Sequence, residues 1–186
     1  MKEKMENLSA KGILLEQKRK EVDSFVTIDE LPGGTERRRG VDPELREMLA
    51  LILALGMHPD QSCWGHPEKF SQNDNIKLTP EIHLTGGLPD HEYTDEEVER
   101  ASLKAKKQVT ELRELLTEFY RDRKTLDEAK IIVDYIDDMP AFKICSAAGR
   151  ETLAAHAPSW RSNCIEASRK EWRDFEAFLK KHYFQS

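Results

Sequence analysis

The chain has 186 residues, 34% of them charged and 38% hydrophobic, with a formal net charge of −6. That length suits one ordinary domain able to bury roughly 70% of the surface its unfolded form exposes. Its Leu, Ile, Phe and Trp content is too high for wholesale disorder. The acidic balance argues against non-specific attraction to nucleic acid.

The charged start, Met1 to Glu6, lacks a following apolar core, which argues against a secretory signal, and no run of about 18 apolar residues offers a membrane span. The expectation is a soluble cytoplasmic protein with no membrane partner. Cys63, Cys145 and Cys164 are odd in number and widely spaced, which favours free thiols over a disulfide framework.

Residues 2 to 22 carry helix formers with apolar positions at Met5, Leu8, Leu15 and Val22, and predict a helix. Residues 31 to 40, Leu-Pro-Gly-Gly-Thr-Glu-Arg-Arg-Arg-Gly, are expected to be a loop, because a proline and paired glycines defeat either regular period. Arg37, Arg38 and Arg39 make that loop a candidate phosphate or RNA contact, although the Gly-Lys-Ser/Thr ending of a P-loop is missing. These two pieces, residues 1–40, form an arm on a core of residues 41–186 within one domain.

The next helix has Asp42 as a candidate cap, Pro43 in its first turn, an apolar stripe of Leu45, Met48, Leu49, Ile52 and Leu53, and Gly56 as its stop. Alternation from Ile76 to Thr85 predicts a strand or strand pair broken at Pro80. Thr94 and Glu97 form a capping box that opens a long helix carrying Val98, Ala101, Ala105, Val109, Leu112, Leu115, Leu116 and Phe119. A hairpin follows, Ile131–Ile136 and Ala141–Ser146. The last predicted element is an amphipathic helix over about 161–183. This order predicts an α+β fold, a small antiparallel sheet with long amphipathic helices packed on it.

The densest concentration of reactive side chains is Met57-His58-Pro59-Asp60-Gln61-Ser62-Cys63-Trp64-Gly65-His66-Pro67-Glu68. Three uses compete for it. Cys63 with His66 as its base, or Ser62 competing for the same base, would be a catalytic pair. Gly65, Trp64 and His58, with the three arginines, are candidate ligand-binding residues. His58, Cys63 and His66 are a candidate Zn²⁺ set, for which a fourth ligand would have to come from elsewhere in the fold. Against all three stands a plain structural turn, with Cys63 and Trp64 packed and His66 bonded to a carbonyl.

The segment Ser62-Cys63-Trp64-Gly65-His66, entered from a Leu45–Leu55 helix, resembles the Ser-Cys-x-Gly-His segment of small uncharacterised bacterial proteins. Their shared order ends in a Phe-Lys/Arg-Ile-x-Ser strand, where this chain has Phe142-Lys143-Ile144-Cys145-Ser146. More distantly, Ser62-Cys63-x-Gly65 resembles the Ser-Cys-Ser-Gly-Arg segment of the wybutosine-synthesising tRNA methyltransferase family, with His66 standing where that family has Arg. The likeness implies a small α+β fold with its site at this segment. The expected function is a ligand or nucleotide-type pocket around Ser62, Cys63, Gly65 and His66; the alternative is a non-enzymatic protein that binds a partner through its charged helices.

Overall fold

The structure is a computed structural model. It describes residues 10–31, 35–63, 65, 78–87, 94–136, 139–148 and 150–184, with the backbone alone for 26–31, 35–40, 150–152 and 183–184. The fold is α+β, as the element order implies. Chain packing divides it into two compact units, Met1–Gly56 with Glu176–Ser186, and Met57–Phe175.

In the first unit, helix α1 (Ala10–Asp23) packs against helix α2 (Arg46–Ala54). Every residue from Met48 to Leu53 is buried, as a helix apolar on all sides requires. A short 3₁₀ turn, Pro43–Leu45, precedes α2, and Asp42 stands at its N-cap position without a side-chain capping bond. Gly56 (φ +78°) follows the C-terminus.

Within the stretch expected to be a loop, Leu31 and residues 35–40 are strand. Strand β1 (Val26–Leu31) pairs antiparallel with strand β2 (Thr35–Gly40), Ile28 opposite Arg38. The physical reason lies upstream: Val26, Thr27 and Ile28 are β-branched and supply a first strand against which residues 35–40 pair.

The unit is also tied by charge. The Glu47 carboxylate on α2 accepts from Arg19 Nε of α1 (2.8 Å) and from Arg19 Nη2, and pairs with Lys180 Nζ at 3.0 Å. Lys180 opens the π-helical turn Lys180–Phe184 that continues the last helix.

The second unit is built on a four-stranded antiparallel sheet in the order β3 (His58–Cys63), β4 (Glu81–Thr85), β6 (Ala141–Ser146), β5 (Ile131–Ile136). Directly paired residues share a face. One face therefore carries Ile82 and Leu84 of β4, Phe142 and Ile144 of β6, and Ile131 and Val133 of β5, all buried.

Helix α3 (Asp95–Tyr120) packs on β5 and β6 with a buried stripe from Ala101 through Val109 and Leu112 to Phe119. Its capping box is complete: the Thr94 hydroxyl accepts from Glu97 N–H, and the Glu97 carboxylate accepts from Thr94 N–H at 2.8 Å. At 26 residues the helix is about 39 Å long. It also occupies polar groups of the sheet-edge strand β5: Ile131 N–H donates to Tyr120 Oη (2.8 Å), and Arg113 Nη2 donates to Val133 O (3.1 Å). An edge strand occupied in this way is a poorer template for another chain.

After β6 comes a short helix, α4 (Arg150–Ala155), and then α5 (Pro158–Leu179). α5 starts three residues before the expected 161, because Pro158 suits a first helical turn. No helix among the described residues is long and apolar enough to cross a membrane.

Candidate functional site

The polar face of the sheet is read directly from the register. Cys63 of β3 lies opposite Glu81 of β4, and Glu81 lies opposite Cys145 of β6, which faces Ile132 of β5. The next row is Gln61, His83, Lys143 and Asp134; the third is His58, Thr85, Ala141 and Ile136. Four strands thus bring two thiols, two carboxylates, two imidazoles and a lysine onto one surface. An extra residue in β3, between Pro59 and Gln61, keeps this alternation in step and leaves Asp60 and Gln61 both exposed.

Two contacts organise the row nearest the turn. His83 Nε2 lies 2.8 Å from Glu81 Oε1, and both side chains are half-buried, at 24% and 14% exposure. Cys63 is also half-exposed, and its sulfur accepts a hydrogen bond from Gly65 N–H at 3.3 Å. Cys63 and His83 are diagonal neighbours on adjacent strands, roughly 7–8 Å apart at the backbone, within reach of their side chains.

Gly65 is forced by its surroundings. Its φ of +89° is in the left-handed region, and a Cβ there would stand 2.7 Å from the backbone carbonyl carbon and oxygen of Leu78. The Gly65 carbonyl in turn accepts from Arg169 Nη2 of α5 at 2.9 Å.

The expected site residues do not all meet. Ser62 pairs with Ile82 and belongs to the packed face, so it and Cys63 point to opposite sides of the sheet. His58 and Cys63 stand at the two ends of β3, on the order of 15 Å apart at about 3.3 Å per residue, too far for both to bind one Zn²⁺. Among the described residues no group of three His, Cys, Asp or Glu side chains could hold a metal ion. Trp64 and His66 lie outside the described residues. Arg37, Arg38 and Arg39 lie on β2 in the first unit, with their side chains outside the described set.

The other two thiols are buried. Cys145 is 8% exposed on the polar face, while Cys164 lies on α5 in an apolar cluster with Leu78, Ala148, Leu153 and Ile165. Burial pushes the Cys164 thiol up, the Glu128 carboxylate adds to this, and a hydrogen bond with Ser168 opposes it.

Glu81, His83 and Lys143 were visible in sequence only as the polar half of two alternating strands, and the choice of neighbours across the sheet is what joins them to Cys63. Arg169 carried no signal at all, since its partner is 104 residues away. The chain matches no protein-family model, no curated protein and no solved structure.

Proposed function

We propose that the polar sheet face of the second unit is a small-molecule site in which Cys63 is the reactive thiol and His83 is its base, oriented by Glu81. The observation that carries this reading is the register: it sets the thiol across from a carboxylate that already holds the imidazole at 2.8 Å.

With Nε2–H donating to the carboxylate, Nδ1 is the acceptor of the neutral ring. The thiol loses its proton to His83 as its sulfur adds to a carbonyl carbon of the ligand; the C=O π pair moves onto that oxygen, which takes the proton back from the imidazolium, leaving a thiohemiacetal-type adduct. Gly65 N–H donates to the same sulfur and supports the developing negative charge. Gln61 and Lys143 lie one row away and supply polar contacts to a ligand laid across the strands. Ser62, on the packed face, has no part in this chemistry.

Alkylation of the native protein with iodoacetamide, mapped by peptide mass, tests the reading. Cys63 is expected to react first, and His83→Gln to slow it by at least about tenfold while the melting temperature stays near that of the wild type. A Cys63 rate that does not exceed that of Cys145, or that is the same in His83→Gln, would remove Cys63 as a base-assisted nucleophile.

A further inference from the structure

At the opposite end of β3 a second constellation forms around the Gly86-Gly87 turn that leaves β4. Gly86 lies so close to the carbonyl of Ala101 on α3 that no Cβ could be placed there. This contact clamps the turn to the helix. Gly87 follows with φ +84°, and the point where its Cβ would stand is 3.2 Å from Lys104 Nζ and 3.8 Å from His58 Cδ2. The space beside Gly87 Cα is bordered by an ammonium from α3 and an imidazole from β3, each within contact distance of where a Cβ would stand.

The charge around this space is lopsided. Arg100, Lys104 and Lys107 follow the i, i+4, i+7 spacing and lie within one narrow stripe of α3, next to the face that carries Ala101. Among the described residues Arg100 and Lys104 make no ion pair, and Lys107 holds only a loose one with Glu111 at 3.7 Å. Of the acidic residues one turn before Arg100, Glu97 is engaged by the N-cap of α3 through Thr94 N–H and Thr94 Oγ1, while Glu96 is exposed and, among the described residues, forms no ion pair with Arg100. Thr85 Oγ1, which accepts from Gly87 N–H at 3.4 Å, sits directly across from His58 on the paired strand.

We infer that Lys104, His58 and Arg100, gathered beside the Gly86-Gly87 turn, bind the phosphate or pyrophosphate group of a small phosphorylated ligand. Three cationic side chains on one stripe call for a multiply charged anion, and lysine ammonium groups are point-charge phosphate binders; the turn amides are already engaged, Gly86 N–H with Pro140 O (2.8 Å) and Gly87 N–H with Thr85 Oγ1, so the side chains hold the anion. Lys104 supplies the central ammonium, His58 a ring N–H, and Arg100 the flanking charge. The site is separated from Cys63 by the length of β3, and its test does not involve the thiol.

Titration of the full-length ¹⁵N-labelled protein with inorganic pyrophosphate, and separately with phosphate, is the direct experiment. Saturable shifts are expected at the amides of Thr85, Gly86 and Gly87, at about millimolar affinity for so open a site. Lys104→Gln should weaken pyrophosphate binding by about tenfold, the scale of one charged hydrogen bond, and His58→Gln should also weaken it. Lys106→Gln is the control, because position 106 lies on the opposite side of the helix and is exposed.

Both side chains are at the surface or half-buried, so the variants should keep the wild-type melting temperature. Absence of saturable shifts at Gly86 and Gly87 up to roughly 10 mM, a decade weaker than expected, would overturn the proposal. So would Lys104→Gln binding like wild type. Binding of a single-stranded RNA oligonucleotide that falls equally in Lys104→Gln and Lys106→Gln would replace the phosphate site with a diffuse basic face, and would equally overturn it.

Discussion

Arg169 of α5 reaches across 104 residues of sequence to donate from Nη2 to the carbonyl oxygen of Gly65, 2.9 Å away. This single bond ties the turn after β3 to the helix layer. Together with the Gly65 N–H bond to Cys63 Sγ, it links the position of the thiol to the docking of α5.

Gly65→Ala should therefore be costly in two ways at once, through a positive φ and through a Cβ at 2.7 Å from Leu78 backbone. A loss of about 2–4 kcal/mol is expected by urea denaturation, larger than a left-handed conformation alone would cost. Arg169→Ala should lose less, about 1–2 kcal/mol, and should raise the alkylation rate of Cys63 by loosening the turn. Equal stability of Gly65→Ala and wild type would mean that the turn yields freely and does not position the thiol.

The Glu47 carboxylate predicts an acid-sensitive first unit. Burial raises its pKa, but hydrogen bonds and charges from Arg19 and Lys180 together outweigh this and leave it below the usual carboxylate value. A depressed folded pKa stabilises above the unfolded value of about 4.3, and that contribution disappears as pH falls through the folded value. Glu47→Gln should cost about 1–2 kcal/mol at pH 7, between the ranges for exposed and buried pairs. As pH falls below the usual carboxylate range and through the folded value, the variant and wild type should converge, as followed by thermal melts across pH. A gap that persists unchanged through that fall would show that packing of the side chain, and not its charge, is what matters.

In the second unit Arg123 sits over the nearly buried Glu171 carboxylate, at 3.2 and 3.3 Å, and also contacts Asp174 at 2.6 Å. The Glu171 side chain is only 5% exposed. Removing the guanidinium with Arg123→Ala leaves a buried carboxylate without its guanidinium, a loss of about 3 kcal/mol. The double variant Arg123→Ala, Glu171→Gln should recover part of this, which denaturant midpoints of the four proteins in the cycle would show. No recovery would place the cost in the lost contact of Arg123 over the Phe119 ring instead.

Much of the architecture was legible because it is written in local rules. The Thr94–Glu97 box marked the start of α3 to the residue, β-branched and aromatic residues with a four-residue connection marked β5 and β6, and Gly56 marked the end of α2. The β1–β2 hairpin was missed because arginine-rich β2 has no apolar alternation and Thr35 as its one β-branched residue, and only pairing with Val26–Leu31 makes it a strand. For the candidate site, the stretch from His58 to His66 was legible as unusual, but not which of its residues face together. Strand pairing decides that. It separates Ser62 from Cys63 and brings in Glu81 and His83 from a strand 18 residues downstream of Cys63, a relation no spacing rule encodes.

The last prediction uses Cys164 as a reporter of opening. Its side chain is fully buried among Leu78, Ala148, Leu153 and Ile165, and its thiol is pushed up by burial, so native protein should alkylate there only when α5 lifts from this cluster. Leu153, also fully buried, is the natural lever. Leu153→Ala removes three carbons from that cluster and should destabilise by about 2–4 kcal/mol. If the opening that exposes Cys164 is the one this leucine opposes, the Cys164 rate should rise by roughly 100-fold, the factor that about 3 kcal/mol produces in an opening equilibrium. Labelling at pH 7 and pH 8.5 separates this from simple chemistry, since the higher pH should raise the rate in variant and wild type by the same factor. A Cys164 rate unchanged by Leu153→Ala, with the expected loss of stability, would show that the cluster opens in a piece that leaves α5 in place.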